Sequence, residues 1–207
     1  MKKILCQGDS ITDFFRSGES NSHMGHGYVS MLAGKIALAH PGKYEVMNRG
    51  ISGNRSVDLY ARIKSDVINL KPDILTVLIG VNDVWHDIAH QNGVAPEKYE
   101  KILSMFVEEV KEALPDIKII LMEPFLLEGK GIAEHMDVFR PRVIQTAQAC
   151  RRVAEKYRLP FVPLQDKISA FAKMTSNEYV LFDGIHPAPA GHAIITEALF
   201  EELSKIL

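Results

Sequence analysis

Short apolar runs alternate along the chain with longer segments of helical spacing. The runs predict five β-strands at residues 3–7, 44–48, 73–79, 118–123 and 160–163. The longer segments predict helices at residues 28–39, 56–69, 96–114 and 137–157, and a last helix from about 188 to 206. Residues 77–79 and 119–121 are apolar at consecutive positions, which is typical of strands covered on both faces of a parallel sheet. The pattern therefore predicts an α/β protein, a three-layer α/β/α sandwich with right-handed crossovers, in one domain over residues 1–207.

Two segments of this pattern are predicted to be loops. Residues 16–27, RSGESNSHMGHG, are rich in glycine, serine and histidine, and residues 124–141 mix apolar and charged side chains and overlap the start of a predicted helix. Both segments follow predicted strands, so we expect both at the carboxyl end of the sheet, where open α/β sheets bind ligands.

Composition narrows the class of protein. Hydrophobic residues make up 46% of the 207 residues, which is enough to build a core without disulfides, so Cys6 and Cys150 are predicted to be buried free thiols. A net charge of -2 argues against a nucleic-acid-binding surface, which would be basic. No apolar run approaches the length of a membrane span, and residues 4–6 are too short for the apolar core of a signal peptide. We therefore expect a cytoplasmic protein without membrane insertion.

Four short polar segments fall near the ends of predicted elements. The sequences GDS (8–10), NRGISGN (48–54) and GVND (80–83) follow the first three strands, and DGIHP (183–187) precedes the last helix. Because parallel strands end at the same edge of a sheet, we expect the first three segments to meet there. A late loop would bring the fourth segment over the same edge.

Together these segments contain the groups that acyl transfer requires. A serine hydroxyl such as that of Ser10 is a weak nucleophile and needs a base, which His186 provides. Asp183, three residues earlier, can accept a hydrogen bond from the other imidazole nitrogen and fix its tautomer. The predicted donors to an oxyanion are the N–H groups of Ser10 and Gly53 and the side-chain amide of Asn82.

With these four segments in this order, the chain resembles the SGNH hydrolases, also called GDSL esterases or lipases. The resemblance covers almost the whole chain, although Ile11 stands where the family name implies leucine. It implies a flavodoxin-like five-stranded parallel sheet with strand order 2-1-3-4-5, a small-molecule ester as substrate, and neither metal nor cofactor. It also implies that Ser10, Asp183 and His186 form the catalytic triad, with Gly53 and Asn82 in the oxyanion hole.

A narrower resemblance concerns the substrate. The stretches GDSITD (8–13), GHGYV (25–29), GISGN (50–54) and NDVW (82–85) look like those of bacterial serine acetylxylan esterases. Such enzymes remove acetyl groups from short xylo-oligosaccharides and tend to assemble as homo-oligomers. Asp9 and Trp85 are then the candidate substrate-binding residues, although Trp85 fits a core or interface position equally well. Lysophospholipids and acyl thioesters remain alternative substrates within the same family.

Rival interpretations find less support in the sequence. Ser52 lies outside any Gly-x-Ser-x-Gly motif. His86 and His90 are spaced to share a helical face and could belong to a metal site, but the chain contains no His-Glu-x-x-His motif and no cysteine cluster. A non-catalytic flavodoxin-like binding module is the third possibility, although the chain lacks the glycine-rich phosphate and dinucleotide motifs.

Overall fold

The core of the fold is a sheet of five parallel strands. A computed structural model describes residues 1–18 and 23–207. The strands lie in the order β2-β1-β3-β4-β5, which confirms the predicted fold class. Their bounds are β1 Lys2–Gly8, β2 Tyr44–Asn48, β3 Ile74–Leu78, β4 Lys118–Met122 and β5 Phe161–Val162.

Helices cover both faces of this sheet. They are α1 Ser10–Asp13, α2 Tyr28–Ala39, α3 Ser56–Ala61, α4 Ile63–Asp66, α5 Val81–His90, α6 Pro96–Ala113, α7 Met136–Tyr157, α8 Gln165–Met174, α9 Asn177–Val180 and α10 Pro189–Leu203. Short 3₁₀ turns occur at Ile68–Leu70 and Ala133–His135. None of the helices described has the length and apolar character needed to cross a membrane.

Alternating side chains of the strands separate two apolar cores. Ile4 and Cys6 of β1 point to the face covered by α2 and pack in one cluster with Leu32. Leu5 points to the opposite face and packs in a second cluster with Phe106 of α6. This period-2 alternation gives the predicted three layers.

Two helical regions differ from their predictions. The helix predicted over 56–69 breaks at Arg62, whose φ and ψ are −108° and 14° and whose side chain bonds to the carbonyl oxygens of Arg49 and Gly8. Those tertiary contacts pull the backbone out of a regular helix. Residues 81–90, which lie outside the predicted helices, form α5, because apolar side chains at 81, 84, 85 and 88 follow helical spacing.

The predicted loops are also partly revised. The segment 124–141 ends where α7 begins at Met136, so Pro141 lies inside the helix. Proline has no N–H, so it cannot donate to the carbonyl of Asp137, an exposed residue four positions earlier. Within the predicted loop 16–27, residues 19–22 lie outside the described part of the chain.

Strand register brings the polar segments to one edge. Gly8 pairs with Leu78, and Asn48 pairs with Cys6, so β1, β2 and β3 end close together. A Cβ added to Gly8 would lie 2.3 Å from Thr12 Oγ1 and 2.4 Å from the Leu78 carbonyl oxygen. The chain can therefore turn tightly from β1 into α1 only because residue 8 is glycine.

Candidate active site

Ser10 is the first residue of α1, at the carboxyl end of β1. Asp9 caps this short helix by accepting the Ile11 N–H at 3.0 Å. The cap fixes the backbone that carries the Ser10 side chain.

The Ser10 hydroxyl meets an imidazole from the far end of the chain. Ser10 Oγ lies 2.8 Å from His186 Nε2, and His186 Nδ1 lies 2.6 Å from Asp183 Oδ2. The structure therefore brings together Ser10, His186 and Asp183 in the order of a serine–histidine–aspartate triad.

The turn that carries Asp183 and His186 is held on two sides. Leu181 and Pro187 form an isolated antiparallel bridge across its base. The loop before α7 secures its tip, since the Gly131 N–H donates to the Asp183 carbonyl at 3.0 Å and the Leu127 N–H donates to the Gly184 carbonyl at 2.9 Å.

Hydrogen bonds set the charge states within this turn. Partial burial alone would raise the pKa of Asp183, but hydrogen bonds from the His186 side chain and from the N–H groups of His186 and Ile185 outweigh it and lower the pKa. The hydrogen bond to Asp183 in turn raises the pKa of His186 against the opposing effect of burial. Asp183 is therefore an ionised acceptor that stabilises a protonated imidazole.

The three predicted oxyanion donors belong to residues that line one cavity. Ser10, Gly53 and Asn82 line the same cavity, and the N–H groups of Ser10 and Gly53 donate to no described residue. Gly53 has a φ of +80°, and a Cβ added there would contact nothing within 4 Å. This left-handed backbone favours glycine at position 53.

Buried polar contacts hold these donors in place. The Asn82 side-chain amide donates one N–H to the Asn54 carbonyl at 3.1 Å, which leaves its second N–H available. Both carboxylate oxygens of the buried Asp83 accept the Ser56 N–H, at 3.1 and 3.0 Å, and the Ser56 hydroxyl also donates to Asp83. Gly53 is thus tied to the start of α5 through the segment 54–56.

Aromatic side chains form the walls of this cavity, whose volume is about 740 Å³. Trp85 lines it and packs edge-to-face against Phe139, with ring centroids 6.0 Å apart. The Phe182 ring stacks on His186 at 5.7 Å and an interplanar angle of 20°. Such rigid apolar surfaces suit contact with a small ester.

Comparisons with known proteins give the family of this chain. The model of the GDSL-like lipase/acylhydrolase family matches residues 6–194. The chain belongs to that family. It is similar to the acetylxylan esterase of Geobacillus stearothermophilus, with 35% identity over 212 residues that cover 98% of this chain and 94% of the relative.

Solved structures of this GDSL-like hydrolase family extend the similarity to the fold. A protein of Parabacteroides merdae described as a GDSL-like lipase superposes with a TM-score of 0.94 at 34% identity, covering 98% of this chain and 95% of its own. The Geobacillus esterase superposes with a TM-score of 0.87 at 34% identity, covering 98% and 94%. Its solved catalytic mutants include one with a serine and one with an aspartate replaced by alanine.

A more distant relative is also an esterase. An arylesterase of Vibrio mimicus is 23% identical over 206 residues, which cover 100% of this chain and 90% of the relative. The protein is thus a carboxylic ester hydrolase.

The two predicted substrate-binding residues occupy different positions in this GDSL-like hydrolase. Trp85 lines the cavity and also packs on the core, so both of its predicted roles fit the geometry. Asp9 is buried with 1% of its surface exposed, and burial raises its pKa to about 7. It does not line the cavity, and its contact with substrate stays a prediction.

His86 and His90 share a face of α5 as their spacing predicted, with ring centroids 5.4 Å apart. In residues 1–18 and 23–207, no three histidine, cysteine, aspartate or glutamate side chains are grouped to hold a metal ion.

Sequence reasoning missed two buried residues that support the site. Asp83 was part of a recognised motif, but its role at Ser56 depends on a contact between distant segments. The Asn48 side chain accepts the Gly50 N–H at 2.9 Å and donates to the carbonyls of Thr12 and Met24 at 2.6 and 2.8 Å. A polar residue at the end of a buried strand was the available signal for Asn48.

Replacing Asp183 with asparagine should lower the pKa of His186, because the charge that stabilises the imidazolium is lost while the side-chain size is kept. NMR titration of the imidazole protons measures this pKa, and loss of the signal in His186→Gln assigns it. Asp13→Asn is the matched control, since Asp13 lines the cavity without bonding to His186. A pKa that is unchanged or raised in Asp183→Asn would contradict the assigned contact.

Proposed function

We propose that the protein is a metal-independent serine esterase that removes small acyl groups, acetyl above all, from acetylated carbohydrates such as xylo-oligosaccharides. The observation that carries the reaction type is the continuous pair of contacts from Ser10 Oγ through His186 to Asp183. Similarity to an acetylxylan esterase over 98% of the chain supports the substrate class.

In the proposed first step, His186 Nε2 takes the proton of Ser10 as Ser10 Oγ attacks the ester carbonyl. Asp183 stabilises the resulting imidazolium through Nδ1–H. His186 then gives its proton to the leaving alcohol, and an acyl-serine remains. Water attacks this intermediate with the same base, which releases the acid and restores Ser10.

The oxyanion formed in each half-reaction would be bound by the donors that surround Ser10. The N–H groups of Ser10 and Gly53 and the free N–H of Asn82 all belong to the cavity. They are fixed before substrate arrives, so little reorganisation accompanies the reaction, which is how such donors lower a barrier.

Ser10→Ala should reduce kcat for 4-nitrophenyl acetate by about 10⁴- to 10⁶-fold, because the nucleophile is lost. Circular dichroism should show an unchanged fold. Labelling by a fluorophosphonate probe supplies an independent readout: wild type and Ser52→Ala should be labelled, and Ser10→Ala should not. Near-normal turnover or labelling of Ser10→Ala would exclude this mechanism.

Asn82→Ala should lower kcat by roughly 10²- to 10³-fold, with little change in KM, by loss of one oxyanion donor. The expected split arises because the donor acts on the transition state more than on the bound ester. Asn82→Asp keeps the size but replaces the amide donor by an acceptor, and it should be impaired at least as much. A raised KM with an unchanged kcat would instead show that Asn82 only binds substrate.

A panel of 4-nitrophenyl esters from acetate to palmitate, followed by acetylated xylo-oligosaccharides, tests the substrate. We expect kcat/KM to be highest for acetate and acetyl release from the oligosaccharides to be measurable. Preference for long chains would favour the lysophospholipase or thioesterase alternative. Hydrolysis of short esters without release from any saccharide would retain the esterase and reject the carbohydrate.

A further inference from the structure

Arg16 is the only lysine or arginine among the described residues that line the cavity. It lies on the same cavity as Ser10 and His186, although nothing in the proposed hydrolysis requires a permanent cation there. The contacts of its side chain show how Arg16 is held there.

The Arg16 side chain is held at one end. Its Nε–H donates to the carbonyl of Gly50, and 10% of the side chain is exposed. The two terminal nitrogens form no hydrogen bond with any described residue. An arginine carries five N–H donors in a planar fork, so most of these donors remain available for a ligand.

The nearest carboxylate is already occupied. Asp13 Oδ1 is 4.0 Å from Arg16 Nε, beyond hydrogen-bond distance. Asp13 Oδ2 accepts the Ser52 N–H at 3.0 Å and the Ser52 hydroxyl at 2.6 Å. Asp13 therefore positions residue 52, and no described carboxylate lies within hydrogen-bond distance of the Arg16 guanidinium.

Two further arginines lie near Arg16 in the described part of the chain. Arg49 and Arg62 both bond to the single carboxylate of Asp66. Burial and repulsion from Arg49 lower the pKa of Arg16, against the opposing attraction of Asp13 and Asp66.

A planar, partly desolvated fork on a residue that lines a cavity is suited to a bidentate carboxylate. The carboxylate of Asp183 is bonded to His186 and cannot fill this place. A carboxylate that pairs with Arg16 would therefore be part of the molecule that occupies the cavity, together with the ester at Ser10.

We propose that Arg16 binds a carboxylate carried by the substrate, so that the enzyme prefers acetylated saccharides that bear a uronic acid over neutral ones. This inference rests on the proposed esterase function and adds a subsite for the acid. It assigns Arg16 to substrate selection and not to bond cleavage.

The test compares kcat/KM for acetyl release from xylo-oligosaccharides with and without a glucuronic acid branch, in wild type and in Arg16→Gln. Phenyl acetate and its 3- and 4-carboxy derivatives form a second matched set. Wild type should prefer at least one acidic substrate of each set by about 10-fold or more, mainly through KM. Arg16→Gln should abolish that preference while retaining turnover of the neutral esters, and Arg16→Lys should keep part of it.

Lys130→Gln is the matched charge control. Lys130 precedes the cavity residue Gly131, but its side chain is 85% exposed and pairs with Glu178. Removal of this charge should leave the preference unchanged, which separates direct contact from long-range steering. An equal loss on neutral and acidic esters in Arg16→Gln would instead indicate a purely structural contact with Gly50 and overturn the proposal.

Wild-type measurements keep the inference falsifiable if Arg16→Gln does not fold. Glucuronate should inhibit hydrolysis of phenyl acetate competitively and more strongly than glucose or acetate, and added salt should weaken this inhibition. Ser10-dependent hydrolysis without any acidic preference or glucuronate inhibition would reject the Arg16 subsite but keep the esterase. Absence of ester hydrolysis from all substrates would reject the proposed function itself, and the subsite with it.

Discussion

The hydrogen bond between Ser10 and His186 joins two residues that are 176 positions apart in the chain. Neither residue can set this distance by itself, because each side chain is carried by a separate turn. The register of β1 with β3 fixes one turn, and the bridge between Leu181 and Pro187 fixes the other. Geometry at the reacting atoms thus depends on the whole sheet and on the packing of the last helix behind it.

Burial gives the carboxylates around this hydrogen bond different tasks. Asp183 is half-buried and well supplied with donors, so its pKa is lowered and it remains ionised. Asp9 and Asp83 are almost fully buried, and burial raises the pKa of each to about 7. Both of the latter bond to backbone N–H groups at helix starts, where they hold the chain in position. Carboxylates with the same chemistry therefore bind an imidazole or anchor the backbone according to their solvation.

The sequence determines some of these features more directly than others. The strands and the residues that meet at the cavity were predictable, because apolar runs and short polar motifs are local signals. The break at Arg62 was not predictable, because it arises from contacts with Gly8 and Arg49 in other segments. The left-handed backbone of Gly53 was not predictable either, since its φ of +80° cannot be read from a motif. What sequence alone leaves out are the contacts between distant segments that give each local motif its orientation.

The side chains that would select a substrate are carried differently from those that would react with it. Phe14 and Phe15 follow α1 with φ values of 33° and 65°, a left-handed conformation that costs a non-glycine residue roughly 1–2 kcal/mol. Phe15 is 79% exposed, so burial of its ring offsets little of that cost. Both rings line the cavity beside Arg16. A strained segment that brings two aromatic side chains, one of them exposed, and a cation to one cavity is better explained by contact with a ligand than by stability of the fold. Selection of substrate could then change within residues 14–16 while the Ser10–His186–Asp183 geometry stays fixed.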